Sequence, residues 1–321
     1  MPADIFGARF YGHRVPAWHR VGKVSTDAIG AVEAFQRVGT YDVVLDPHAG
    51  WSELFRLPTP EDKRRVSFGR VGEDYVLIAP DELTCLWDEH VQAPVETLGV
   101  ISRGECMFIT MRMGDYAVRG DRVRQYLVLA HWMSARRISG AFISPVRVVC
   151  SNTLMAAERM ASCQLDLRPV PGLREGIGKD LDALVDRAQM SGYKLRKSFE
   201  RMADRSIGRA EAAVVASAAY PNDVALRQAA MRLFDGAGTG LDLPATRGTL
   251  WGMYNAVAEL ENFRGGGTED DIATDILFGR RAMVMGAAFN AALALCNSSP
   301  TAQTPVELEA EVREPQLALT R

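Results

Sequence analysis

Hydrophobic and polar positions alternate with a period of two in the first half of the chain and with a helical period in the second, and the character changes at Asn152. In Glu105–Met113 the apolar residues Met107, Ile109, Met111 and Met113 alternate with a side carrying Thr110 and Arg112, which predicts a half-buried strand. Arg124–Ala130 and Ala141–Cys150 predict two more strands, with turn signals at Gly114-Asp115 and Gly120-Asp121. Upstream, Arg65–Val71 and Tyr75–Ala79 flank Gly72-Glu73-Asp74 and read as a hairpin, after which Pro80-Asp81 opens a short helix through His90. Residues 1–60 are irregular, with a helix candidate at Asp27–Val38 and a strand candidate at Tyr41–Asp46.

Beyond Asn152 the spacing predicts helices at Thr153–Ser162, Gly178–Ser206, Arg209–Ala219, Asp223–Phe234, Thr249–Arg264 and Glu269–Leu295. In Thr249–Arg264, Leu250, Met253, Val257 and Leu260 are expected to face the core, with Asn255, Glu259 and Asn262 as a solvated ridge. In the last helix Ile272, Ile276, Met283 and Ala287 line an apolar stripe, and Arg280 is expected to pair with Glu259 or Glu261. The fold class is therefore α+β: an antiparallel β-meander in the N-terminal half with a helical C-terminal half. The expected organisation is an irregular segment (1–60), a sheet region (61–152), a helical region packed on it (153–297) and a disordered acidic tail (298–321).

The 321 residues, 47% of them hydrophobic, suffice for a sizeable core in one large or two modest domains. No apolar run is long enough to span a bilayer and Met1–His13 lacks a signal-peptide core, so a cytoplasmic protein without membrane association is expected. Cys85, Cys106, Cys150, Cys163 and Cys296 form no CxxC pair and read as reduced core residues. His13, His19, His48, His90 and His131 match no zinc spacing and read as surface or packing residues. No nucleophile elbow, phosphate-binding loop or dinucleotide fingerprint is present, so neither enzymatic chemistry nor a cofactor or metal is expected.

The net charge of −3 excludes a globally basic DNA-coating protein, yet charge is segregated. Arg103, Arg112, Arg119, Arg122, Arg124, Arg136, Arg137 and Arg147 face only Glu105, Asp115 and Asp121 over the same stretch. Guanidinium forks grip phosphate, so with Tyr116, Tyr126, His131 and Trp132 interleaved the stretch suits a single-stranded nucleic-acid groove. The plainer reading is a charge-defended sheet edge or a set of ion pairs. Arg147 lies inside an apolar strand-like run, Pro145-Val146-Arg147-Val148-Val149-Cys150, that ends at a helix-start signal, Ser151-Asn152-Thr153-Leu154. A capped helix start beside a guanidinium is an anion site.

That segment, with Pro16-Ala17-Trp18-His19-Arg20-Val21-Gly22, Gly72-Glu73-Asp74-Tyr75-Val76-Leu77-Ile78-Ala79-Pro80-Asp81-Glu82, Gly248-Thr249-Leu250-Trp251-Gly252-Met253-Tyr254-Asn255 and Phe278-Gly279-Arg280, resembles the phage/plasmid-like proteins grouped as domain of unknown function 932. The chain departs from that pattern at Ala130-His131-Trp132-Met133 and at Ile78-Ala79. The resemblance implies a mobile genetic element and a DNA-handling setting. The leading expectation is a homo-oligomeric protein that binds single-stranded DNA and assists annealing or recombination without ATP. Arg112, Arg122, Arg124 and Arg147 would contact phosphates, Tyr126 or Trp132 would stack bases, and the Asn152–Thr153 helix start would hold one phosphate. This reading requires the guanidinium groups to converge on one open groove. The alternative is a protein-binding or structural phage component, or an inhibitor of a host defence, acting through its helical half and marked by exposed apolar surface there. An enzyme acting on nucleic acid would require Asp74, Asp81, Glu82, Asp88 and Glu89 to gather around metal ions.

Overall fold

A computed structural model describes residues 9–13, 23–134, 139–147, 165, 167, 169–263, 265 and 269–298. In chain order the strands are β1 (Arg9–His13), β2 (Lys23–Ser25), β3 (Val43–His48), β4 (Trp51–Arg56), β5 (Val66–Val71), β6 (Thr97–Ile101), β7 (Cys106–Val118), β8 (Asp121–Trp132) and β9 (Gly140–Arg147). They form a six-stranded sheet ordered β2-β1-β6-β7-β8-β9 and a three-stranded sheet ordered β3-β4-β5. Every pairing is antiparallel except β1 with β2, so β6 to β9 make the expected meander.

The β7–β8 hairpin runs through the predicted Gly114-Asp115 turn. Its ladder shifts register between Arg112 and Gly114, where Gly114 takes φ +121°, so a bulge absorbs one residue and pairing resumes. The turn comes at Arg119 and Gly120, whose φ values of +48° and +91° suit the tight connection of two right-twisted strands.

The hairpin expected across Gly72-Glu73-Asp74 does not form, because β5 pairs with β4 instead. Tyr75–Ala79 is unpaired chain anchored by other contacts: Tyr75 Oη donates to the Met133 carbonyl, Val76 N–H to the Pro169 carbonyl, and the Ile78 carbonyl meets His131 Nε2 at 2.9 Å. With Arg174 donating to the Leu77 carbonyl at 2.6 Å, these fixed hydrogen bonds replace the missing ladder.

The first helix, α1 (Ala31–Val38), begins later than expected, at a start closed from a distance. The next helix, α2 (Pro80–Leu86), continues into one π turn at Trp87–Val91. From that turn the Asp88 carboxylate accepts the N–H groups of Ala31 (2.6 Å) and Val32 (3.0 Å). Gly30 leaves room for this, since a Cβ there would lie 2.7 Å from Asp88 Oδ2.

The helical half holds α3 (Leu173–Asp182), α4 (Leu184–Asp204), α5 (Arg209–Ala219), α6 (Val224–Arg232), α7 (Leu250–Phe263), α8 (Glu269–Phe278) and α9 (Arg280–Asn297). Two predicted long helices are each divided, at Ala183 and at Gly279. Packed against α4, α5, α6 and α9, α7 is the central helix, and two residues of the expected solvated ridge are buried, Asn255 at 0% and Asn262 at 4% exposed, while Glu259 stays half-buried and accepts the Thr239 N–H. Each asparagine donates its side-chain amide N–H to the carbonyl four residues back, at Trp251 and Ala258, and Asn255 Oδ1 has no partner among the described residues. Neighbouring helices cover α7 over most of its length, so its solvent face is confined to the last turns, at Glu259, Leu260 and Phe263. The expected Arg280 pairing is corrected to Arg281, which donates to the Glu261 carbonyl (2.7 Å) and bridges Asp275 (3.2 Å), while Arg280 is exposed. Met283, expected in an apolar stripe, is 75% exposed. The predicted helix Thr153–Ser162 and the acidic stretch beyond Ser298 lie outside the described residues.

Candidate nucleic-acid interface

The β7–β8 hairpin divides along its length into a buried inner half and a charged outer half. Arg122, Arg124, Tyr126 and Trp132 share one strand parity, but Tyr126 is 1% and Trp132 4% exposed. Trp132 meets Phe278 edge-on, with centroids 5.4 Å apart, and Phe278 also meets Phe142. Burial pushes the Tyr126 hydroxyl up to about 12. Neither ring can receive a base, which corrects their expected stacking role: at this depth the sheet is covered and the apolar rings belong to the core.

At the outer end Arg112 and Arg122 both reach Asp115, at 2.8 and 3.3 Å. The Asp115 contact raises the Arg112 pKa. Arg124 pairs by register with Asp115 across the hairpin, and its Nε is buried without a hydrogen-bond partner among the described residues. These three positions therefore do come together, around one carboxylate, with Arg122 66% exposed. The side chain of Arg147 lies outside the described residues. Its backbone pairs with Val123 while Arg124 pairs with Val146, and strand alternation assigns positions 147 and 124 to opposite faces. Asn152 and Thr153, the expected phosphate-holding helix start, lie outside the described residues, as do Arg136 and Arg137.

A second charged surface was not anticipated. Helix α4 runs along the hairpin: Gly192 lies against Gln125, Arg196 stands 5.6 Å over the Tyr116 ring, and Asp204 takes both arms of Arg119 at 2.5 and 2.6 Å. A Cβ at position 192 would sit 1.9 Å from Gln125 Nε2, so a methyl group there would have to displace the Gln125 amide. The α4 core face consists of Leu184, Ala188, Leu195, Phe199 and Met202. Opposite it, Met190, Tyr193, Lys194, Lys197 and Arg201 follow at i, i+3, i+4 spacing and are exposed. Tyr193 is 57% exposed, with Lys197 Nζ 5.7 Å from its ring centroid. Glu200 ties back Lys197 and Arg196, each at 2.8 Å, and those cations lower its pKa. The signal for this surface is the i, i+3, i+4 spacing of Met190, Tyr193, Lys194, Lys197 and Arg201 within the sequence.

The remaining polar groups are mostly structural. His131 is fully buried, its Nε2 bonded to the Ile78 carbonyl, and burial lowers its pKa to about 4, so the ring is neutral. Arg56, fully buried, donates to Asp62 at 2.6 Å; Asp62 is held at about 2, chiefly by its hydrogen bond from Arg64. Of the acids a metal-dependent enzyme would use, Asp88 caps α1 and Glu82 pairs with Arg174 at 2.5 Å. Among the described residues no group of three or more His, Cys, Asp or Glu is placed to hold a metal, and no helix is long and apolar enough to cross a membrane.

An antiparallel meander flanked by a helical bundle, with basic residues along one hairpin and along the helix beside it, defines an α+β protein. A family model described as a domain of unknown function (DUF932) matches residues 67–270, more than half of the 321 residues. The chain belongs to this family. No curated protein and no solved structure matches it.

Proposed function

We propose that this protein binds single-stranded DNA along the exposed flank of α4 and the outer end of the β7–β8 hairpin, in support of annealing or recombination on a mobile element. One observation carries the reading: the α4 flank sets an exposed aromatic, Tyr193, among Lys194, Lys197 and Arg201, and Arg119 at the hairpin turn is tied to the same helix through Asp204. Arg112 and Arg122 stand on the sheet face opposite the one α4 packs on, so the bound strand would cross the end of the hairpin to meet them. Stacking on a ring and neutralising phosphates together hold a strand without reading its sequence. Phosphate would compete with Asp115 and Asp204 for exposed guanidinium groups, a modest cost because such pairs contribute little in water. Fluorescence anisotropy with a labelled oligonucleotide tests it. Tyr193→Ala is expected to weaken binding by ~1–3 kcal/mol, and Lys194→Ala with Lys197→Ala to flatten the log K against log salt slope by about one to two units. A flat titration of the unaltered protein at low salt defeats the proposal.

A second reading, docking of a protein partner on the helical half, draws on the exposure of Val214, Val224, Phe263 and Met283. It predicts that Met283→Asp abolishes a partner complex and leaves the oligonucleotide titration unchanged.

A further inference from the structure

Helices α5 and α6 enclose an open groove of about 430 Å³. Ala213, Ala216 and Met231 line it, with Val224, 58% exposed, at one end. Arg209, Arg227 and Arg232 also line it, and the acid among its lining residues, Asp235, is tied to Arg209 at 3.3 Å. An apolar floor with surplus guanidinium groups calls for an occupant that is apolar on one side and anionic on the other.

We propose that the acidic segment following α9, within residues 299–321, folds back into this groove of its own chain. The reading is independent of DNA binding. Position favours it. The last turn of α5, Ala218 and Ala219, shares a cleft with Arg280, Met283 and Ala287 at the start of α9, so the packed helices run antiparallel and Asn297 falls at the Arg209 end of α5. Arg201 donates to Asn297 Oδ1, which sets the end of α9 beside the end of α4 that leads into α5.

Reach and chemistry agree with this. The 11 residues of α5 span roughly 16 Å at ~1.5 Å per residue, and the chain from Asn297 to Val306 can extend up to ~30 Å. Val306-Glu307-Leu308-Glu309-Ala310-Glu311-Val312 alternates apolar and acidic residues. Extended, it turns Val306, Leu308, Ala310 and Val312 to one side and its carboxylates to the other. The apolar side suits the floor, and arginine stems are long enough to bring guanidinium groups round to the carboxylates.

The test uses the full-length protein with Leu308 replaced by the photoreactive residue p-benzoylphenylalanine, irradiated and mapped by peptide mass spectrometry. Adducts are expected within one chain, on residues 213–231. Arg227→Glu with Arg232→Glu is expected to reduce their yield about fivefold or more, and adding Glu307→Arg with Glu309→Arg to restore it. Raising salt on the unaltered pair of helices is expected to reduce the yield as well. Adducts on the hairpin at residues 112–124, cross-linked dimers, a yield no higher than in denaturant, or a yield indifferent to salt would each overturn the inference.

Discussion

The inner and outer halves of the β7–β8 hairpin are built from the same two strands with the same alternation, yet they answer to different rules. Toward Trp132 both faces are covered: Phe108, Ile109, Leu127, Val128 and Leu129 are all buried, and alternation no longer separates inside from outside. Toward Arg119 the pattern holds, with Val118, Asp121 and Val123 buried beside exposed Arg122. Depth along a strand, more than parity, decides whether an aromatic residue next to arginines is a binding surface or a piece of core.

The largest expected effect tests the inner half. Trp132→Ala should cost about 3–5 kcal/mol in denaturant unfolding; a loss below 1 kcal/mol would mean that the ring is not packed on Phe278 and Phe142. Protonation probes the same region. The folded pKa of His131 is about 4 against an ordinary 6.5, so between those values the unfolded chain binds the extra proton and stability falls as pH is lowered. The window is worth about 3 kcal/mol, and His131→Gln should flatten the pH dependence of unfolding there. At the seam between halves, Gly192→Ala should cost about 1–3 kcal/mol by displacing the buried Gln125 amide, readable as a lowered Tm. Smallest is the outer half: Arg122→Ala should change stability by less than about 1 kcal/mol, and a larger loss would reveal a structural ion pair where a binding group is proposed.

Much of the architecture was legible in advance because periodicity reports burial. The helix Arg209–Ala219 appears with the expected bounds, and the strands around Met107–Met113 and Arg124–Ala130 lie where alternation placed them. The failures share a cause, that a partner distant in sequence decided the outcome. Tyr75–Ala79 has strand composition, but β4 had already paired with β5. Asn255 and Asn262 look like a wet ridge until neighbouring helices close over them and i−4 carbonyls accept their amides. For the candidate interface, the gathering of Arg112, Arg122 and Arg124 could be read from the strand pattern. The contribution of α4 could not be joined to it without knowing that Gly192 and Asp204 lie against the hairpin.

The π turn at Trp87–Val91 makes the first and second helices depend on one another through the angular position of one side chain. Shortening that turn by one residue would restore regular winding and swing Asp88 by about 100°, away from the amides of Ala31 and Val32. The start of α1 would lose its anion, while the composition and hydrophobic pattern of both helices stayed almost the same. A family member lacking that extra residue should therefore carry its own capping side chain at the position of Gly30.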